Sequence, residues 1–106
     1  MPKYLFIASY SSEGAQGVLD GGGSARRSAI NEMAESVGGS VESFYFAFGS
    51  DDAFVLVDLP DDEAAAAIGL TVGASGKASV RTVTLLTPEQ VDAAAKRSPT
   101  YRAPGD

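Results

Sequence analysis

Few side chains in this sequence are suited to chemistry, because it contains no histidine and no cysteine. Disulfides, thiolate nucleophiles, Cys/His zinc sites, His- or Cys-held haem and Ser-His-Asp or Cys-His arrangements are all excluded. Any acid, base or anion clamp must come from carboxylates, tyrosines and the lysines and arginines. One grouping of this kind is Gly21-Gly22-Gly23-Ser24-Ala25-Arg26-Arg27. A glycine turn entering a helix N-terminus offers free N–H groups, and Arg26 and Arg27 could clamp a carboxylate or phosphate. The spacing is not that of a P-loop. The plainer reading is a hinge between two helical pieces with solvated arginines.

A second grouping is acidic: Asp51, Asp52, Asp58, Asp61, Asp62 and Glu63 place six of the 14 acids within 13 residues. Oxygen ligands suit hard cations, but the spacing matches no calcium loop. Each acid also has a local use, Asp51 and Asp52 in a turn and Asp61 to Glu63 at a helix start, so no metal site is expected. Asp58 shares a strand face with Phe54 and Leu56. Held against aromatic rings it would titrate high and could serve as a general base, whereas at a wet strand end it is a solvated or hydrogen-bonded carboxylate. The latter is the simpler expectation, since Pro60 follows at once. A third grouping sets Tyr4, Tyr10 and Tyr45 with Arg81 as the lining of a pocket between sheet and helices. Its alternative is ordinary packing of the tyrosines in a core or interface.

The elements that would position these groups follow from patterning. A chain of 106 residues, 44% hydrophobic and 21% charged, is enough for one domain, 1–106, with 98–106 as a loose tail. KYLFIASY (3–10) reads as a strand, and 11–20 as room for a short helical turn ended by the three glycines. Ser24 is a plausible N-cap for a helix to Val37, with an apolar stripe of Ile30, Met33, Ala34 and Val37. Strands are expected at 40–48 and 53–59 around a Gly49–Asp52 turn. After Pro60 a second helix of small side chains follows, where Gly69 and Gly73 imply close approach to the sheet. A strand at 78–86 and a short helix to Arg97, opened by the capping box of Thr87-Pro88-Glu89-Gln90, complete the chain. The order strand, helix, strand, strand, helix, strand gives an α+β fold of the ferredoxin-like, split-βαβ kind with a four-stranded antiparallel sheet.

A sheet covered on one side should alternate apolar with polar residues, and these strands do not. Tyr4, Phe6, Ala8 and Tyr10 oppose Leu5 and Ile7; Phe44, Phe46 and Phe48 oppose Val41, Tyr45 and Ala47; Phe54 and Leu56 oppose Val55, Val57 and Leu59. Eight of the nine aromatic residues fall in these three segments. An open face of that size exceeds the few hundred Å² usual for a monomer, so a second copy of the sheet is expected to cover it, with Phe46→Glu as the disrupting change. The competing cover is the terminal helix, which carries few large apolar residues.

These segments resemble the GYD domain family, small bacterial proteins of largely uncharacterised function. The likeness rests on KYLFIASY, GGGSARR, VESFYFAFGSDDAFVLVDLPDDEAAAA and TPEQVDAAAKRSPTYRAPG, and it spans nearly the whole chain. It implies a ferredoxin-like fold of the dimeric α/β-barrel type. In the motif that names the family, Gly49 and Asp52 fit, while Asp51 stands where a tyrosine is usual. By fold-level analogy, proteins of this barrel type often bind small aromatic compounds, and some oxidise them without a cofactor.

The expected function is therefore a homo-oligomeric domain, structural or binding a small organic or anionic ligand. Its candidate ligand-binding residues are Tyr10, Arg26, Arg27, Tyr45, Asp52, Asp58 and Arg81. The alternative is a cofactor-independent monooxygenase or isomerase acting on a small aromatic substrate, and a third reading has the tail Ser98–Asp106 dock on a partner or a neighbouring subunit. No cofactor is expected. A net charge of −6 argues against nucleic acid and anionic membrane, and no targeting or transmembrane stretch is visible, so a cytoplasmic protein is expected.

Overall fold

The computed structural model describes all 106 residues as β1 (Lys3–Tyr10), α1 (Ser12–Gly21), α2 (Gly23–Ser36), β2 (Ser40–Phe46), β3 (Ala53–Asp58), α3 (Asp62–Ala74), β4 (Ala78–Leu85) and α4 (Pro88–Ala95). The strands form one sheet in the order β2-β3-β1-β4, every neighbour antiparallel. The fold is α+β, a four-stranded antiparallel sheet with four helices.

The core lies between one face of this sheet and helices α2 and α3. The register sets Tyr4 opposite Val57 and Phe6 opposite Val55, so both strands send their apolar residues to the same side. There they meet Leu59 and, from α3, Ala64, Ala65 and Ile68. Ile30, Met33 and Val37 of α2 extend this core over Val41, Phe44 and Val80. Burying a residue as completely as Leu59 stabilises the fold by about 1.5–3 kcal/mol. The close approach of α3 comes from its alanines. Gly69 and Gly73, expected to provide it, face open space, where an added Cβ would meet nothing within 4 Å.

Val41 and Phe44 stand on the same face, not on opposite ones as strict alternation requires. A register shift between Val41 and Ser43 inserts an extra residue, and this bulge aims Glu42 across the sheet to Lys3, 2.6 Å away. Lys3 also meets Asp58 at 2.9 Å. Just past this end of β3, Asp61 caps α3 by accepting the Ala64 N–H at 2.9 Å. In the first turn of α3, Asp62 accepts the Tyr4 hydroxyl at 2.5 Å. That bond, together with burial and the charges of Asp62 and Asp61, pushes the Tyr4 phenol up to about 12.

Several boundaries differ from expectation. Residues 12–21 form a full helix rather than a short turn, capped by Ser11, whose Oγ accepts the Gly14 N–H at 3.2 Å. Helix α2 begins at Gly23, with Gly22 as its N-cap and no side-chain capping bond, so Ser24 lies inside the helix. Gly22 has φ of +85°, a left-handed conformation that turns one helix directly into the next. The strands end earlier than read, at Phe46, Asp58 and Leu85, and Phe48 stands free in the hairpin loop.

Helix α4 has the expected capping box, with Thr87 Oγ1 accepting the Gln90 N–H at 3.1 Å and Gln90 Oε1 accepting the Thr87 N–H at 2.8 Å. It does not cover the sheet. From Leu86 to the end of the chain every residue is exposed except half-buried Ala103. The molecule is accordingly 56 Å long with a radius of gyration of 16.8 Å, against about 13 Å for a compact chain of this length.

Candidate functional site

Helix α1 is tied down at its two ends and little between. The Ser11 N–H donates to the Lys77 carbonyl at 2.9 Å, and the first turn then rests on that same carbonyl. Only a glycine permits this, because a Cβ on Gly14 would lie 1.9 Å from the Lys77 oxygen. At the far end the chain turns at Gly22. Between these points α1 stands away from the body of the fold, and a cleft of about 520 Å³ opens among α1, the first half of α2, the end of α3 and the start of β4.

Arg26, one turn into α2, lies in this cleft with its guanidinium carbon 5.9 Å from the centre of the Tyr10 ring, within cation–π range. Its Nε is buried and has no hydrogen-bond partner. None of the three ion pairs in the chain involves it. A buried donor left unpaired costs about 1–3 kcal/mol. Glu13 and Lys77 also line the cleft, giving two cations and one carboxylate. Behind Arg26 and Tyr10 lies a smaller apolar cavity of about 30 Å³, walled by Phe6, Phe44, Val55 and Ile68.

Tyr10 is positioned by the hairpin between β2 and β3. Its backbone N–H donates to Asp52 Oδ2 at 2.8 Å, while the Asp52 N–H donates to the Ala8 carbonyl and the Asp52 carbonyl accepts from Ala47, both at 2.8 Å. Asp52 therefore fastens the hairpin to the end of β1 rather than facing the cleft.

The other candidates lie elsewhere. Arg27 is exposed on α2 beside Arg26 and takes part in no ion pair. Tyr45 pairs with Phe54 and Arg81 with Ile7, which puts both on the sheet face away from the helices. The pocket expected of Tyr4, Tyr10, Tyr45 and Arg81 thus does not form, because these residues are divided between two faces. Asp51 pairs with Arg81 at 3.4 Å; so exposed a pair is worth about 0–1 kcal/mol. Asp58 is held by Lys3 rather than against rings, and the hydrogen bonds that Lys3 donates to Glu42 and Asp58 raise its ammonium above its usual value. The acidic cluster is dispersed over these separate tasks, and no three of its members converge.

The sheet face away from α2 and α3 carries Leu5, Ile7, Tyr45, Phe54, Leu56 and Val83, contiguous by their pairings. Charged pairs bound it, Lys3 with Glu42 and Asp58 at one end and Arg81 with Asp51 at the other. Phe46 is not part of it; its ring lies over the start of α2, 3.0 Å from where a Gly23 Cβ would stand. Sequence reasoning missed Glu13, Lys77, Thr71 and Met33 as cleft residues. The available signal was Ser11 followed by Glu13, the start of a helix that brings one of them into place.

The family model of the GYD domain matches residues 4–95. No curated protein and no solved structure matches the chain. No helix is long and apolar enough to cross a membrane.

Proposed function

The chain belongs to the GYD domain family, and from that premise we propose that it works as a cytoplasmic homodimer, joined through the uncovered sheet face, that binds a small organic anion in the cleft at Arg26. The observation that carries the dimer is surface area. A folded monomer of 10.9 kDa exposes about 5,600 Å², and this chain exposes 7154 Å². The excess, about 1,500 Å², is more than the roughly 800 Å² that each partner gives up in a standard interface. It lies on the exposed arm from Leu86 onward and on the apolar face, where Tyr45 and Val83 are exposed within a charged rim, the anatomy of an interface. The strand order β2-β3-β1-β4, with α2 and α3 on one face, supports the ferredoxin-like, dimeric α/β-barrel reading. The exposed arm from Leu86 onward supports a role for the tail in the same contact.

The Arg26 guanidinium, lining the cleft and held in no ion pair, supports the ligand reading, and the net charge of −6 disfavours nucleic acid or anionic membrane as partner. The oxygenase or isomerase alternative has no comparable support, since Tyr45, Arg81 and Asp58 lie across the sheet from the cleft.

Light scattering tests the dimer. The wild-type mass is expected to be twice that of the chain at micromolar concentration. Leu56→Glu, in the centre of the face, is expected to weaken association at least tenfold, and Leu70→Glu, exposed on α3, to leave it unchanged. A monomeric wild type overturns the reading.

A further inference from the structure

We infer that the ligand of the cleft is a monocarboxylate with a short apolar tail, its carboxylate on Arg26 and its tail in the apolar cavity behind Tyr10. This rests on the reading of the cleft as a ligand site. The argument begins with the two cavities, which are not independent. The outer cleft and the inner cavity share Tyr10, Arg26, Ile30, Met33, Val72 and Ala78, so they meet at the Arg26–Tyr10 pair. A molecule lying across that junction has one end in the outer cleft of about 520 Å³, where Arg26, Lys77 and Glu13 supply the charges, and the other in an apolar recess of about 30 Å³. The recess is roughly twice the minimum that admits one water, enough for a few carbon atoms and not for a ring system.

The polar end is specified by Arg26. Its Nε is closed off by the protein, and the two Nη groups, bonded to no other residue, present the parallel N–H pair that fits a planar carboxylate end-on. The charge count points the same way: Arg26 and Lys77 against Glu13 leave a single positive charge for a monoanion to balance, whereas a phosphate dianion would be left over-charged. The apolar end is specified by Phe6, Phe44, Val55 and Ile68, none of which offers a hydrogen-bonding side chain. A purely inorganic anion would leave that recess unused, and a neutral apolar compound would leave Arg26 unpaired.

Hexanoate, acetate, hexan-1-ol and inorganic phosphate, titrated into the full-length protein and followed by backbone amide shifts, separate these possibilities. Hexanoate is expected to shift Tyr10, Gly22, Ala25 and Ala78, and to bind at least tenfold more tightly than acetate, hexan-1-ol or phosphate. Arg26→Gln is expected to weaken hexanoate at least tenfold; Arg26→Lys, which keeps the charge but not the fork, is expected to fall between. Both variants are checked for native far-ultraviolet circular dichroism. Acetate or phosphate binding there as well as hexanoate would overturn the ligand class while leaving the cleft an anion site. Hexanoate shifts confined to Leu5, Phe54 and Leu56 would place binding on the open face and overturn the assignment. Binding of none of the four would overturn both this inference and the ligand reading beneath it, leaving the dimer to stand or fall by its own test.

Discussion

Tyr4 joins the two halves of the core, its ring buried among β1, β3 and α3 and its hydroxyl given to Asp62. Only the protonated phenol can donate that bond, so its folded value lies near 12 against about 10 in the unfolded chain. The stabilisation is therefore complete below pH 10 and is lost as the pH rises towards 12. Lys3, also raised, adds a loss in the same alkaline direction. In the wild type, one of the four tyrosines is expected to titrate last in a phenolate absorbance titration and together with unfolding. Tyr4→Phe is expected to lower the urea midpoint at pH 7 and to flatten its decline above pH 10; an unchanged alkaline profile would refute this account. Asp52 acts at the same scale through one backbone bond. Asp52→Ala leaves the Tyr10 N–H without its acceptor and is expected to cost about 1–2 kcal/mol in urea unfolding, with Asp52→Asn recovering most of it. The types of Tyr10, Arg26 and Asp52 made them legible as candidates. Their relation was not, because Asp52 reaches Tyr10 across 42 positions by a main-chain bond that side-chain identity does not encode.

The elements themselves were largely readable, since short apolar and aromatic runs bounded by turn residues, the Thr87 capping box and the Asp61 cap are local signals. What escaped was whatever depends on a neighbour. The bulge at Glu42 is set by pairing with β3 and draws its charge to Lys3, and no feature of SVESF alone announces it. Helix α1 was missed as a complete element because its apolar residues are sparse and Leu19 is exposed; its course is decided by contact with the Lys77 carbonyl. That contact gives a paired prediction. Gly14→Ala places a methyl group in the carbonyl, so α1 must lift, and a loss of about 1–3 kcal/mol is expected from urea melts. Gly17→Ala, on the same helix with nothing near its added Cβ, is expected to stabilise by about 0.5–1 kcal/mol. Equal effects at the two positions would mean that helix propensity, not the carbonyl contact, governs α1.

For the whole molecule, the sequence already held the apolar character of both sheet faces, and the structure leaves one of them without a cover from its own chain. Strand patterning could not say which helix lies where, and for that reason Phe46 was taken for an open-face residue when it belongs beside α2. The terminal arm extends the argument. Helix α4 has only eight residues, shorter than the roughly 12–15 that hold a helix in water unaided, yet it is capped at its start and exposes Val91 along its length. Leu86 before it and Tyr101 after it are exposed as well. No hydrogen bond joins residues beyond Leu86 to the body of the fold; those of the arm close within it. Between the arm and the sheet, Leu56, Leu85, Leu86 and Gln90 border a concavity of about 700 Å³ that continues the open face. In a two-fold dimer through that face, each arm would lie along the other copy and be ordered by it. Removing residues 88–106 is then expected to leave the urea midpoint at dilute, monomeric concentrations unchanged, because the arm stabilises nothing within its own chain. The same truncation is expected to weaken dimerisation at least tenfold by sedimentation equilibrium. A truncated chain that unfolds more readily as a monomer would show that the arm packs on its own domain, and one that dimerises as tightly as the full chain would confine the interface to the sheet.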